Sequence, residues 1–458
     1  MKVVICGAGQ VGSSIARYLA GGGNSVTVID QSAELIQRLS DTHDVRGIVG
    51  HASHPDVLAE AGAEEADMII AVTYADEVNM VACEVAHALF NVPTKIARIR
   101  AQVYLKPRWR TLFANDRLPI DVIISPEIEV AHAITRQLEV PGAFDVLSMA
   151  GGLVRVVGVR CLADCPIVNT PLRQLSGLFP DLNIVVVGLI RDGKPIIPER
   201  DQMMLAGDEV YFVADTKHVQ RAMLAFGHEE QPGRRVVIIG GGNIGIYLAE
   251  EIDERFPQVS IKLIELDKAR AAEASQRLSG VVVFNGDGLD TEILEEANVG
   301  TAETVIAVTD DDEVNVLSSI LSKRMGAERV VTLINKPTYE PLVTNLGIDA
   351  VINPRTITVS QILQHVRRGR IRAVHTLREG FGEIIEAEAM ETSALVGRPL
   401  REINLPAGII VGAVVRGTTV ISPRGATVIK ADDRVVLMAA PGAVRKVEKM
   451  FAVRLEYF

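Results

Sequence analysis

One glycine-rich fingerprint occurs twice in this chain. GAGQVG begins at Gly7 and GGGNIG begins at Gly240, 233 residues further along. Each string directly follows a short apolar run, VVIC or VVII, and precedes a helix-like stretch. This strand, turn and helix setting is the one that a dinucleotide-binding loop requires. The duplication therefore predicts two α/β domains in tandem.

Glycine serves three different steric purposes in such a fingerprint. Gly7 permits a tight turn, Gly9 has no Cβ to hold a pyrophosphate away, and Gly12 lets the helix pack closely on the sheet. Loop N–H groups and the positive end of the helix dipole then face the phosphates. The expected ligand-facing residues are Gly7, Ala8, Gly9, Gln10, Val11 and Gly12 in the first half, and Gly240, Gly241, Gly242, Asn243, Ile244 and Gly245 in the second.

A carboxylate ends the second strand of each half. Asp30 ends SVTVID and Glu265 ends SIKLIE, about 20 residues after the glycine loops. At this place a carboxylate accepts hydrogen bonds from ribose hydroxyls. It would repel the extra phosphate of NADP, so the sequence favours NAD or NADH as the cofactor.

Composition and charge restrict the class of protein. Hydrophobic residues make up 48% of the 458 residues and aromatic residues only 4%, which suits parallel sheets covered on both faces. No run approaches the roughly 18 apolar residues of a membrane span, and the N-terminus begins a strand rather than a signal peptide. We therefore expect a cytoplasmic protein. The net charge of −11 argues against nucleic acid as a partner.

The rest of the chain is duplicated as well. TYADEVN at 73–79 matches TDDDEVN at 309–315, and short β-branched strands follow each alternating region. The predicted fold is α/β, with two doubly wound parallel (Rossmann-type) sheets in tandem, each followed by a small β-rich α+β lobe. The predicted domains are 1–125 and 236–355 for the nucleotide sheets and 142–226 and 373–455 for the lobes, with a linker at 227–235.

The helix that contains DEVNMVACEVAHALF supplies two further expectations. Val78, Val81, Val85 and Leu89 share one helical face, which we expect to pack on a core. Asp76 and its counterpart Asp312 stand at the distance from which an aspartate caps a helix. Capping is therefore their expected role.

Polar residues at the strand ends differ between the halves. Thr73 and Thr309 end the fourth strands, at the edge where such sheets bind ligands, and are expected near the nucleotide. Of Arg98 and Arg100 we expect at most one to serve a phosphate directly, and a salt bridge is an equal alternative. The second half has VTLIN there, without arginine, and has Asp287 in a loop that faces adenine or ribose. Two unequal sites are predicted.

Three other groups have a functional and a structural interpretation. His51 and His54 form an H-x-x-H pair, but the second half has aspartates there, which favours a helix N-cap followed by proline over a metal site. Cys161 and Cys165 lack further metal ligands nearby and are expected as reduced thiols. The basic string VRRGRIR at 366–372 is expected as a solvated face, with a partner or phosphate contact as the alternative.

Longer strings carry a more specific resemblance. GHASHPDVLAEAGAEEADMIIAVT, DEVNMVACEVAHALFNVP, IARIR and GAVVRG, with both fingerprints, resemble the TrkA family of regulatory subunits of bacterial Trk potassium-uptake systems along the whole chain. The resemblance implies two KTN (RCK) nucleotide domains, each with a TrkA-C lobe, that bind NAD or NADH and adenine nucleotides such as ATP or ADP. Carried over by position, it adds Tyr74 and Arg98 to the first site and Asp287 to the second.

The resemblance also implies an assembly. Family members form a tetrameric ring, peripheral on the inner face of the cell membrane, beneath a TrkH- or TrkG-type potassium-conducting subunit. A nucleotide acts there by favouring one conformation of the ring. The main alternative is an NAD-dependent oxidoreductase, but neither lobe offers an acid or base that the duplication repeats. A redox-sensing transcription regulator would need a helix-turn-helix or a basic reading surface, and a scaffold would not need two ribose carboxylates.

Overall fold

The computed structural model describes residues 1–113, 117–179, 182–231, 233–339, 342–343, 346–366, 370–377 and 381–451. These residues form two compact units. The first contains Met1–Glu129 and Arg355–Val366, and the second contains Val130–Pro354 with the described residues after 366.

A six-stranded parallel sheet forms the centre of the first unit. Its strands are β1 (Lys2–Cys6), β2 (Ser25–Asp30), β3 (Arg46–Val49), β4 (Met68–Ala71), β5 (Thr94–Arg98) and β6 (Val122–Ile124). They lie in the order β3-β2-β1-β4-β5-β6, so the chain reverses its direction of winding between β1 and β4. The helices that cross between strands are α1 (Gln10–Gly21), α2 (Ala33–Thr42), α3 (Pro55–Glu60) and α4 (Asp76–Ala88), and α5 (Pro126–Glu139) follows β6.

Helix α4 packs only in part through the face that its valines predict, since Val78 and Val85 are half-buried against the core. Val81 is 46% exposed and Leu89 is 59% exposed, whereas Asn79, Met80 and Cys83 are buried. The prediction of a core face through Val81 and Leu89 is therefore wrong. Tertiary contacts decide the orientation, because Asn79 has hydrogen-bond partners on the sheet side that make its burial favourable.

The first lobe lies in the second unit and is an antiparallel sheet with two short helices. Its elements are α6 (Leu172–Leu178), α7 (Val219–Ala225), β7 (Ala143–Met149), β8 (Val154–Arg160), β9 (Val185–Arg191), β10 (Lys194–Ile196) and β11 (Glu209–Asp215). The strands lie in the order β10-β9-β11-β8-β7. Cys161 and Cys165 are both buried in this lobe.

The second nucleotide-type sheet repeats the first. Its elements are β12 (Arg235–Ile239), α8 (Asn243–Arg255), β13 (Ser260–Glu265), α9 (Lys268–Arg277), β14 (Val281–Asn285), α10 (Thr291–Glu296), β15 (Thr304–Ala307), α11 (Asp312–Met325), β16 (Arg329–Leu333) and β17 (Ala350–Ile352). The order β14-β13-β12-β15-β16-β17 is again parallel and doubly wound. Helix α12 (Pro354–Val366) follows, and its residues Arg355–Val366 belong to the first unit, where Gln361 donates to Glu129 at 2.8 Å.

The second lobe repeats the first lobe. Its elements are β18 (Ile371–Thr376), β19 (Glu383–Glu388), β20 (Ile409–Arg416), β21 (Thr419–Ile421), β22 (Arg434–Ala439) and α13 (Val444–Phe451), with strand order β18-β19-β22-β20-β21. A bidentate ion pair is duplicated too, since Arg191 holds buried Asp208 and Arg416 holds buried Asp433. The predicted fold class is confirmed.

Two further sequence observations concern the fold rather than the glycine loops. Of the string VRRGRIR, residues 367–369 lie outside the described part, while Arg370 and Arg372 both pair with Glu388 and lower its pKa. Among the described residues, no helix combines the length and apolar character needed to cross a membrane.

Candidate nucleotide-binding sites

Both glycine loops lie at the point where the winding direction of their sheet changes. Strand β1 is flanked by β2 and β4, and β12 is flanked by β13 and β15, so each loop leaves its strand at the carboxyl edge between two crossovers. Ligands of open α/β sheets bind in this crevice. The first residue of each fingerprint has the left-handed backbone that the turn requires, with φ of 111° at Gly7 and 109° at Gly240.

The other fingerprint glycines divide into two kinds. A Cβ on Gly12 would lie 1.9 Å from the carbonyl oxygen of Gly7, and one on Gly245 would lie 1.9 Å from that of Gly240. These two glycines allow the helix to approach the loop. A Cβ on Gly9 or Gly242 would meet no atom within 4 Å. The fold itself therefore leaves room at these two positions, as a cradle for a ligand requires.

Each helix that follows a loop begins without a side-chain cap. Gly9 and Gly242 occupy the N-cap positions of α1 and α8, and neither has a side-chain oxygen that could accept from the first turn. By contrast, Ser32 and Asp267 cap the next helices, α2 and α9, through their side chains. The first-turn N–H groups of α1 and α8 thus have no side-chain acceptor, which is an arrangement that suits an anion.

The first turns also place the remaining predicted loop residues. Gln10 and Asn243 are exposed at the start of α1 and α8, while Val11 and Ile244 are half-buried behind them. The backbone N–H groups of these residues lie in the first helical turn, where phosphate contacts at a helix end are made.

The predicted ribose carboxylates lie directly against the loops. Asp30 accepts from the N–H of Ala8 at 2.7 Å and from the N–H of Ser32 at 2.8 Å, one to each oxygen. Glu265 does the same with Gly241 at 2.7 Å and Asp267 at 2.8 Å. An ionised carboxylate has about four acceptor positions. Each therefore keeps capacity for hydroxyl donors while it orients its loop.

Loop residue and carboxylate are matched in size. The first site combines Ala8 with the shorter Asp30, and the second combines Gly241 with the longer Glu265. A Cβ on Gly241 would lie 3.0 Å from the side chain of Glu265. The Cβ and a carboxylate oxygen of Glu265 thus crowd the place where an alanine methyl group would lie at this position.

The loops after β4 and β15 are organised by an asparagine that the sequence reasoning missed. Asn79 accepts from the N–H and the hydroxyl of Thr73 at 2.8 Å and 2.7 Å. Asn315 holds Thr309 in the same way at 2.8 Å and 2.7 Å. The threonine hydroxyls are thus already used as donors. The repeated string DEVN was the available signal, but a helical pattern alone does not show that its asparagine is buried.

The predicted capping role of Asp76 and Asp312 is wrong. Asp76 is the first residue of α4, its preceding residue provides no side-chain cap, and its carboxylate accepts from the N–H groups of Arg100 and Ala101 instead. Asp312 likewise accepts from Asn335 and Lys336. These carboxylates reach across to the segment after the next strand, because a fixed loop there needs its N–H groups satisfied. Asp311 is the cap of α11.

The two arginines after β5 have different partners. Arg100 forms an ion pair with buried Glu127 at 2.9 Å, so the salt-bridge alternative holds for it. The exposed ring of Tyr74 lies beneath its guanidinium, 5.4 Å from the centroid. Burial, and then the charge of Arg100, lower the pKa of Arg98, and its Nε is buried without a hydrogen-bond partner among the described residues. Arg98 therefore has unused donor capacity for an anion.

The second site lacks both guanidinium groups. Asn79 donates to the carbonyl of Arg98 at 2.9 Å, and Asn315 donates to that of Leu333 at 3.1 Å, so Leu333 occupies the place of Arg98. The same comparison sets Asn335 opposite Arg100. Asp287 is exposed and accepts from the N–H of Leu289 at 2.9 Å, which leaves most of its carboxylate available.

The H-x-x-H pair is placed as the helix-cap interpretation predicts. His54 precedes Pro55 at the start of α3, and Asp290 caps α10 at the matching position. The rings of His51 and His54 are stacked with centroids 4.7 Å apart. Within the described ranges no group of three or more metal-ligating side chains occurs.

Comparison with known proteins identifies the family. The TrkA-N domain model matches residues 3–126 and 236–354, and the TrkA-C domain model matches 156–227 and 384–452. The Trk system potassium uptake protein TrkA of Azorhizobium caulinodans is 54% identical over 458 residues, which is the full length of both chains. This chain belongs to the TrkA family. The TrkA of Halomonas elongata is 44% identical, again over all of both chains.

Solved structures agree with the TrkA fold. The GsuK RCK domain has a TM-score of 0.59 at 18% identity, covering 99% of this chain and 95% of that one. The GsuK channel bound to NAD has a TM-score of 0.59 at 18% identity, covering 99% of this chain and 79% of that one. At this identity the likeness to this TrkA family member describes the fold alone.

Proposed function

We propose that this chain is a nucleotide-responsive regulatory subunit of a membrane potassium-uptake system. It binds NAD or NADH, and ATP or ADP, at its two glycine loops and does not transform them. The observation that supports this most is the repeated combination of open glycine, uncapped helix and loop-bound carboxylate in a chain that matches TrkA proteins from end to end.

The first loop has the groups that a dinucleotide needs. The pyrophosphate of the ligand would accept hydrogen bonds from the N–H groups beside Gly9, where the fold leaves space for it. Asp30 would accept hydrogen bonds from ribose hydroxyls. Arg98 would donate to a phosphate oxygen through its buried Nε, which has no hydrogen-bond partner among the described residues. Thr73 and Tyr74 border the same edge. The bound nucleotide would contribute differential affinity for one conformation of the assembly rather than a chemical step.

The second loop is proposed as an unequal site. Gly242 leaves the same space and Glu265 offers the same ribose acceptor, but Leu333 brings no charge to the phosphates. Exposed Asp287 adds an acceptor for an adenine amino group or a ribose hydroxyl. We therefore propose that the first site holds phosphate charge more strongly than the second.

Membership of the family supports a proposal for assembly and location. We propose a tetrameric ring that is peripheral on the cytoplasmic face of the membrane and docks on a TrkH- or TrkG-type potassium-conducting subunit. The names of the full-length relatives support the potassium-uptake system. The four-domain division into 1–125, 142–226, 236–355 and 373–455 remains a prediction.

Titration calorimetry with NADH tests the binding sites. Asp30→Ala is expected to weaken the first site and Glu265→Ala the second, while each leaves the other site intact. Since both carboxylates also hold loop amides, thermal unfolding of each variant is the folding control. Unchanged NADH affinity in the folded Asp30→Ala chain would remove that residue from the ribose role.

A turnover assay separates regulation from the oxidoreductase alternative. The chain is incubated with NADH and candidate carbonyl substrates, and the absorbance of NADH is followed. We expect saturable binding with no consumption of NADH. Steady hydride transfer to a metabolite would favour the enzyme and contradict the regulatory proposal.

A further inference from the structure

Asn79 is completely buried, and all of its hydrogen-bonding capacity is used. Its Oδ1 accepts twice from Thr73, and its Nδ2 donates to the carbonyls of Thr73 and Arg98 at 3.2 Å and 2.9 Å. A side-chain amide has two N–H donors and two acceptor lone pairs. With all four used, Asn79 has none left for a ligand, so any influence on binding passes through Thr73 and Arg98.

The segments that Asn79 joins are both part of the proposed site. Thr73 lies against the glycine loop, since a Cβ on Gly7 would stand 3.1 Å from the Thr73 nitrogen. Arg98 carries the unpartnered guanidinium nitrogen. One amide group of helix α4 therefore fixes the spacing between the loop that faces the pyrophosphate and the cation that faces the phosphates.

We call the four hydrogen bonds of Asn79 to Thr73 and Arg98 the asparagine clamp. The second half repeats this clamp although its ligand-facing side chains differ. Asn315, also completely buried, donates to the carbonyls of Thr309 and Leu333 at 3.0 Å and 3.1 Å and accepts twice from Thr309. Arginine is replaced by leucine at the bonded carbonyl, yet the bond remains. The clamp thus serves the backbone geometry of the edge rather than one particular side chain.

A second set of hydrogen bonds ties helix α4 to the segment that follows strand β5. The carboxylate of Asp76, three residues before Asn79, holds the N–H groups of Arg100 and Ala101, and Asp312 does the same in α11. The N-terminal turn of each helix is therefore bonded to the ends of two adjacent strands. A shift of either strand end must move the helix or break these bonds.

We propose that Asn79 and Asn315 are positioning residues that set nucleotide affinity at the first and second site and transmit occupancy to helices α4 and α11. The proposal rests on the nucleotide-binding function above. Neither asparagine touches the nucleotide. Each acts through the spacing of the two strand ends that it joins.

Asn79→Asp tests the proposal with almost no change in shape. The carboxylate still accepts from Thr73, but it cannot donate to the two carbonyls and faces them with a negative charge. At about pH 8 we expect NADH affinity at the first site to fall at least tenfold, because two hydrogen bonds to the site's backbone are lost. As the pH falls toward about 6, this buried carboxyl takes up a proton and regains one donor, so affinity should recover.

The pH profile distinguishes positioning from general damage to the fold. Asp76, Arg98, Arg100 and Glu127 surround the clamp in the wild-type chain as well, so the difference between variant and wild type isolates residue 79. Asn315→Asp is the matched control and should alter the second site alone. Wild-type affinity of a folded Asn79→Asp chain throughout this pH range would overturn the proposal.

Hydrogen exchange on the wild-type chain gives a test that needs no variant. Saturating NADH should slow exchange in residues 76–88 and 98–101 as well as in the glycine loop. Protection of the loop alone would show that occupancy stops at the ligand and would overturn the transmission role. Failure of the wild-type chain to bind NADH would instead contradict the proposed function, so the two failures are distinguishable.

Discussion

Gly9→Ala separates the requirements of the ligand from those of the fold. Gly9 has φ −65° and ψ −172°, which is extended backbone that alanine also adopts. Its Cβ would meet no atom within 4 Å. We expect the free energy of unfolding to change by no more than about 1 kcal/mol, because the methyl group contacts nothing and the poorer N-cap preference of alanine is opposed by the lower entropy of its unfolded chain.

The same methyl group should interfere with a bound pyrophosphate. It projects into the space beside the first-turn N–H groups of α1, which the phosphates would approach. If two of the charge-assisted hydrogen bonds are lengthened, the loss is about 2 to 3 kcal/mol, or roughly 30- to 150-fold in affinity. Calorimetric titration with NADH and thermal unfolding of the same sample measure both quantities.

Two glycines provide the controls for this experiment. Gly242→Ala adds its methyl group to similar open space, with φ −72° and ψ −170°, and should weaken only the second site. Gly12→Ala places a Cβ 1.9 Å from a carbonyl oxygen and should destabilise the fold by about 1 to 3 kcal/mol or more. Wild-type NADH affinity in a folded Gly9→Ala chain would refute the placement of the pyrophosphate.

Three further outcomes are expected. Arg98→Leu, which copies Leu333 of the second site, should weaken NADH binding at the first site about tenfold in calorimetry; equal affinity would contradict the phosphate role. Gly241→Ala should weaken the second site, and adding Glu265→Asp should restore it; a double-mutant cycle with coupling well below about 1 kcal/mol would contradict the size match. Burial, then the charge of Arg136, lowers the pKa of His375 from 6.5 to about 4. As the pH falls, the unfolded chain therefore binds this proton first, and the free energy of unfolding should drop by up to about 3 kcal/mol between pH 6.5 and 4. His375→Gln removes the titrating group and should not show this part of the loss in thermal unfolding. Identical pH dependence of stability in the wild-type and variant chains would contradict the prediction.

The sheets, crossovers and glycine loops were predictable because their signals are local. A short apolar strand, a glycine turn and a helical repeat lie within about 30 residues, and the second copy confirmed the pattern. Asp30 and Glu265 were found for the same reason, since each ends the next strand. Their contacts with Ala8 and Gly241 follow from that parallel pairing.

The clamp at the other side of the site was not predictable in the same way. Asp76 bonds to N–H groups 24 and 25 residues further along the chain, beyond the reach of a capping rule. The valine stripe of α4 suggested one buried face, but the helix buries Asn79 and leaves Val81 exposed. A polar residue with four satisfied hydrogen bonds is compatible with a core position, and only the tertiary structure supplies those partners.

Potassium flux through the membrane partner tests the central claim most directly. Flux is measured with the wild-type chain and with the Gly9→Ala, Gly242→Ala double variant, in each case with and without NADH. The account predicts that NADH changes flux with the wild-type chain, that this response is lost in the folded double variant, and that NADH is not consumed. An equal response in both chains, or none with the wild-type chain, would contradict it.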